Sequence, residues 1–247
     1  MQVQISYIHH NCFILKIGRT ALLFDYPGDG FLDETRRAAV FAGIQNTDLF
    51  VFASHFHPDH FNPRLAELQP YPRRIFYILS SDILKKNRQL ANLPECYAAS
   101  PDQVYRIGDL EARAFLSNDE GVAYLIKYRD TNIYFGGDLA NWNWDGLSPA
   151  ERRLCVDYFA EVLEKLRQWP IAIAFSNADP RLPNWSGAAQ FAETVKPKLF
   201  VPMHAFGETE KIGQFVKKNP NLPCRIFEYR NTGDSITLEL RREGTRR

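Results

Sequence analysis

The chain has 247 residues, enough for one sizeable domain or two small ones, and 45% of them are hydrophobic, as in ordinary globular proteins. Aromatic residues, 13% of the total and spread along the whole length, exclude disordered, collagen-like and low-complexity readings. With 30 Lys and Arg against 29 Asp and Glu the net charge is +1, so no overall field gathers nucleic acid or an anionic membrane.

In chain order, residues 1–8 lack the positive segment and apolar run of a secretory signal. No later stretch approaches about 18 consecutive apolar residues, so no membrane span is expected. Brief or alternating apolar runs predict strands at 3–8, 12–17, 21–25 and 49–54. Asn62 with Pro63 at the first helical position predicts a helix through Leu68. A strand at 74–79, a short helix from Ser81 and strands at 104–107, 110–115, 122–128 and 132–135 follow, antiparallel in character. Ser148-Pro149-Ala150-Glu151 is a capping box, and Leu154, Tyr158, Val162, Leu166 and Trp169 recur at helical spacing behind it. Apolar runs at 171–175, 199–203 and 224–227 then alternate with helical patterns at 186–195 and 208–218, a β-α-β-α-β rhythm.

No internal repeat and no Gly/Ser-rich or Pro-rich linker divides the chain, so residues 1–247 read as one domain. Strand runs in both halves, each with helices, suit two sheets face to face with helices outside, a four-layer αββα sandwich of the α/β class. Periodicity alone does not distinguish this from a mixed three-layer fold. Cys12, Cys96, Cys155 and Cys224 form no CxxC pair and read as reduced thiols, which makes a cytoplasmic protein the simplest expectation.

Six histidines occur in the chain, and three fall within His55-Phe56-His57-Pro58-Asp59-His60. By composition such an HxHxDH string is expected about 0.0002 times by chance, so its presence calls for a reason. It directly follows an apolar strand; if the strand geometry continues, His55 and His57 point to the same side. Imidazole nitrogens and a carboxylate suit zinc, manganese or iron, whereas copper(I) would want thiolate. Packing so many polar groups into a core without a cation would leave donors and acceptors unpaired at considerable cost.

With these residues the chain resembles the metallo-β-lactamase superfamily, in which an HxHxDH motif after a strand holds one or two metals in an αββα sandwich. Asp25 resembles the family's structural aspartate, Gly136-Gly137-Asp138 the segment with its bridging aspartate, and Pro202-Met203-His204 the segment with its final histidine. The resemblance implies one or two divalent ions, zinc first and manganese or iron as alternatives. It places His55 and His57 on one metal, Asp59, His60 and His204 on the second, and Asp138 between them. One departure stands out: the family commonly carries a further histidine where this chain has Phe115-Leu116-Ser117-Asn118-Asp119-Glu120-Gly121. Asn118 or Ser117 stands in its place, and Asp119 is another candidate substitute. Ile8-His9-His10-Asn11-Cys12-Phe13 resembles a His-containing turn of the lactonase-like branch, so His10 approaches the metals or substrate, or packs locally; for His9 local packing is expected.

Trp142, Trp144 and Trp185 wall a pocket or pack a core or lid, and Arg181 pairs with an anionic substrate or lies exposed in a turn. Gly28-Asp29-Gly30 lacks the GK[ST] of a phosphate loop, and Arg241, Arg242, Arg246 and Arg247 form a basic tail expected to be solvated. The function expected is a metal-dependent hydrolase of a small-molecule ester, lactone or phosphoester, with Asp59 and His10 as catalytic candidates. A phosphodiesterase or nuclease, and a metal-binding sensor without turnover, are the alternatives. A small-molecule substrate is expected, membrane is not, nucleic acid is disfavoured, and a homo-oligomer is admitted.

Overall fold

Apolar runs of four to eight residues broken by Gly, Asp and turn pairs cannot span a helix, and they emerge as strands. The computed structural model describes residues 1–240; the basic tail Arg241, Arg242, Arg246 and Arg247 lies outside the described residues. The elements in order are β1 Gln2–His9, β2 Cys12–Ile17, β3 Thr20–Phe24, α1 Glu34–Ile44, β4 Asp48–Ala53, β5 Arg74–Ser80, α2 Ser81–Lys86 and β6 Cys96–Ala99. They continue as β7 Val104–Ile107, β8 Leu110–Leu116, β9 Val122–Tyr128, β10 Thr131–Phe135, α3 Pro149–Leu166, β11 Ile171–Asn177, α4 Ala188–Val195, β12 Leu199–Met203, α5 Ile212–Lys218, β13 Arg225–Ile226 and β14 Ser235–Glu239. They form two compact units, Met1–Ala99 with residues 231–240, and Ser100–Arg230.

The first unit is built on a seven-stranded mixed sheet in the order β14-β1-β2-β3-β4-β5-β6. Its β14 to β3 pairings are antiparallel, while β3 to β6 run parallel. Ile14, Leu23, Val51 and Leu79 pack with Val40 and Ile44 of α1. That helix was not expected, although its start is written in the sequence: the Asp33 carboxylate accepts the Arg36 amide at 2.8 Å. The helix expected from Asn62 is instead a 3-10 turn over Leu65–Leu68. Asn62 does accept from the Arg64 amide, but its own amide group is drawn away to Pro27 O and Asp29, and Pro70 and Pro72 leave no room for an α-helix to propagate.

The second unit is built on the sheet β13-β12-β11-β10-β9-β8-β7, antiparallel from β7 to β10 and parallel from β10 to β13. The capping box of α3 forms as expected, Glu151 and Ser148 each accepting from the other's backbone amide. Its packed face is Phe159, Val162, Leu163 and Leu166, whereas Leu154 is 70% exposed and Trp169 falls beyond the helix end. The expected stripe fails in its first half because α3 docks through its last two turns, with the Tyr158 hydroxyl donating to Leu116 O at the margin. Among the described residues no helix is long and apolar enough to cross a membrane.

Candidate metal centre

In the first unit the parallel pair β3 and β4 ends in Asp25 and in Ser54-His55. Asp25 takes the left-handed region at φ 39° and its amide donates to Phe52 O, which turns its side chain under the next strand's end. Wholly buried, it receives the Ser54 amide at 2.8 Å, the Ser54 hydroxyl at 2.8 Å and His60 Nδ1 at 2.8 Å. Burial pushes its carboxyl up while His60 and Ser54 pull it down. Three converging donors are the environment of a carboxylate rather than of a neutral acid.

This arrangement fixes a tautomer. The single hydroxyl proton of Ser54 is spent on Asp25, so at the 2.9 Å contact with His55 Nδ1 the hydroxyl oxygen accepts and the ring donates. The lone pair of His55 is then on Nε2, which lies 3.0 Å from His57 Nδ1. His60, with Nδ1 on Asp25, likewise presents Nε2, 3.5 Å from Asp59 Oδ2. The same Asp59 oxygen is 3.5 Å from Nε2 of His10. Burial opposes ionisation of Asp59, but His10 and His60 outweigh it and hold the carboxyl far below the usual range. His10 is buried at φ 51°, its amide donating to the Tyr7 hydroxyl. His9 instead stacks on Phe31, and burial lowers it to about 4, Arg36 adding to the effect. Thus the first unit brings His10, His55, His57, Asp59 and His60 together and leaves His9 out.

Gly28 belongs to this framework. Its amide donates to Pro58 O at 2.7 Å, and a Cβ there would stand 3.1 Å from that oxygen. The glycine lets the loop after β3 lie against the histidine turn.

In the second unit β10 ends in Gly136-Gly137-Asp138, with Gly137 at φ 50°, a conformation that glycine adopts without steric cost. His204 follows β12 at φ 63°, its Nε2 3.6 Å from Asp138 Oδ2. Its Nδ1 lies 3.0 Å from Oδ2 of the wholly buried Asp179. Arg181 forks onto that carboxylate, Nε to both oxygens and Nη2 to Oδ2 at 2.6 Å, and its guanidinium lies between Trp144 and Phe206. Burial works against the Asp179 anion, but His204 and Arg181 prevail and depress its carboxyl well below the ordinary range. Arg181 is therefore committed to Asp179 and is not the expected receptor of an anionic substrate.

Asn118, where a further histidine was looked for, donates to Ala140 O at 2.7 Å and accepts from its amide at 3.1 Å, bracing the backbone after Asp138. Ser117 accepts from the Asp119 amide. Trp142, its Nε1 on Asp138 O, and Trp144 line a cavity with Asp138 and His204, whereas the half-buried Trp185 packs on Phe215 at the margin of the core.

The residues fit a divalent cation. His55, His60 and His204 each have Nδ1 held by an oxygen, of Ser54, Asp25 and Asp179, which is how metal-binding histidines are oriented to present Nε2. The nitrogen and carboxylate donors suit zinc, manganese or iron. Ser54 and Asp179 were not singled out from sequence, since no motif spacing marks a partner supplied by folding; Asp179-Pro180-Arg181 shows only two opposite charges two residues apart.

A family profile described as "Beta-lactamase superfamily domain" matches residues 4–145. A UPF0173 protein of Pyrococcus furiosus is 26% identical over 210 residues, 82% of this chain and 83% of that protein. Sixty residues are 43% identical to ribonuclease Z of Nocardia farcinica, a stretch that makes up 24% of this chain and only 18% of that relative. The solved structure of Igni18, a metallo hydrolase of Ignicoccus hospitalis, aligns with a TM-score of 0.67 at 14% identity, covering 98% of this chain and all of the other. The likeness shows the fold and bears out the α/β class expected from sequence.

Proposed function

The chain belongs to the beta-lactamase superfamily, and from that premise we propose that it is a metal-dependent hydrolase of a small-molecule ester, lactone or phosphoester. The observation that carries this reading is the set of three histidines locked by Ser54, Asp25 and Asp179 with Nε2 presented. Within the first unit His55, His57, Asp59 and His60, and within the second unit Asp138 and His204, are each assigned as divalent-metal ligands. A divalent ion bound there supplies Lewis acidity toward a carbonyl or phosphoryl oxygen and draws the proton loss of water toward neutral pH. Asp59, held anionic by His10 and His60, orients the attacking water, and His10, whose Nε2 lies 3.5 Å from Asp59 Oδ2, takes or returns the proton. Four cysteines without disulfides accord with a cytoplasmic placement.

A phosphodiesterase is the second reading, favoured by the sixty-residue match to ribonuclease Z. The net charge of +1 and the engagement of Arg181 by Asp179 weigh against long RNA. Metal-stripped protein reloaded with zinc, manganese or iron is to be assayed on ester, lactone, thioester and phosphodiester substrates. Turnover restored by metal and abolished in His57→Ala is the expected result. Tight metal binding with no turnover on any class overturns the hydrolase in favour of a sensor.

A further inference from the structure

Of the four histidines assigned as ligands, three have the ring fixed by an oxygen: His55 by Ser54, His60 by Asp25 and His204 by Asp179. His57 is the exception, for among the described residues no oxygen is hydrogen-bonded to its ring. It is half-buried, its Nδ1 faces His55 Nε2 at 3.0 Å, and the Phe56 ring stands edge-on to it with centroids 4.7 Å apart. Without an oxygen to turn toward, an imidazole takes its direction from its backbone and from the groups packed on it.

Both are governed from α2. The strands β4 and β5 run parallel with Ala53 opposite Leu79, so the third residue beyond each, Phe56 and Asp82, meet at the same end of the sheet. Asp82 Oδ2 accepts the Phe56 amide at 3.0 Å, which fixes the peptide plane joining His55 to Phe56. One turn on, the Lys86 ammonium stands over the Phe56 ring, which also packs against the apolar core of the first unit. Residues four apart share a helix face, so Asp82 and Lys86 together hold residue 56 by main chain and side chain. Asp82 Oδ1, by contrast, is buried without a hydrogen-bond partner. A bare buried oxygen costs stability, so this carboxylate adds less to the fold than its hydrogen bond to Phe56 alone suggests.

We propose that Asp82 is a positioning residue for His57: by holding the Phe56 amide while Lys86 covers the Phe56 ring, α2 sets the direction in which the His57 imidazole is presented. The proposal rests on the reading of His57 as a metal ligand. Competition for zinc between the full chain and a chromophoric chelator tests it, together with hydrogen exchange of the Phe56 amide in the metal-free protein. Asp82→Ala is expected to bind zinc about tenfold more weakly, and Asp82→Asn, which keeps a carbonyl acceptor, to stay within about threefold of the wild type. The Phe56 amide is expected to exchange about tenfold faster in Asp82→Ala. In the His57→Ala background the same substitution is expected to change zinc affinity less than about twofold, because the ligand through which Asp82 acts is gone. Equal weakening in both backgrounds makes Asp82 a purely structural residue and overturns the proposal, as does wild-type zinc affinity or wild-type Phe56 exchange in Asp82→Ala. Should Asp82→Ala fail to fold, Lys86→Met at its exposed position carries the same cycle: a weakening of about two- to threefold that vanishes in His57→Ala supports the clamp, and no weakening overturns it. Zinc binding that does not depend on His57 removes His57 from the ligand set and the proposal with it. The expected cycle in a chain that turns over no ester, lactone or phosphodiester supports the role of Asp82 and removes the hydrolase.

Discussion

His60 in the first unit and His204 in the second each rest Nδ1 on a wholly buried carboxylate, at 2.8 and 3.0 Å. Behind His60, Asp25 is satisfied by a serine hydroxyl and a backbone amide, all neutral and buried, and burial leaves its carboxyl raised. Behind His204, Asp179 is clamped by Arg181, whose side chain is 40% exposed, and its carboxyl is depressed. The same task is thus done once by a sealed carboxylate held by neutral donors and once by an ion pair that reaches the surface. A sealed network gains nothing from solvent when broken, so it fails as a unit. An ion pair with one solvated partner loosens by degrees, because water and salt screen it.

Three measurements bear on that contrast, in order of expected effect. Replacing Asp25 by Asn turns one acceptor edge into a donor facing other donors, and we expect a loss of about 3 kcal/mol in urea unfolding, with His55 and His60 both released. A loss below about 1 kcal/mol would show that the network is not sealed. In the second unit, Asp179→Asn is expected to weaken metal binding about 10- to 100-fold and Arg181→Lys by less than about tenfold, read by competition with a chromophoric chelator. Equal effects of the two variants would make the fork, rather than the carboxylate, the part that holds His204. The smallest effect concerns His9, outside both networks. Its folded value of about 4 lies below the ordinary imidazole value of 6.5, so between these limits the unfolded chain binds the extra proton. This contribution to stability is complete above about 6.5 and lost as pH falls toward about 4. His9→Gln should therefore flatten the decline of the urea midpoint across that window, and an unchanged slope would show that His9 is not desolvated.

How much of this was legible in the sequence follows from how local each signal is. The six residues from His55 to His60 declare themselves because strand end, turn and donors are contiguous. Asp138 and His204 are ordinary turn residues when read alone, and only the resemblance singled them out. Asp25 was read as structural, but its partners Ser54 and His60 are 29 and 35 residues away and emerge only when β3 and β4 pair. The capping box at Ser148 was readable because it is closed within four residues, whereas the packed face of α3 depended on which turns meet the sheet. At Asn62 local chemistry was read correctly and its consequence was not, since Pro27 and Asp29 compete for the same side chain.

Asp25, His10 and His204 share a backbone trait, φ of 39°, 51° and 63°. β-Branched side chains are strongly disfavoured there, and glycine, asparagine, aspartate and histidine are the residues that tolerate it. The mutational neighbourhood of these positions is accordingly narrow: Val, Ile or Thr would strain the main chain before any lost ligand was felt. A library randomised at the three sites should return a short alphabet even when selected only for folding.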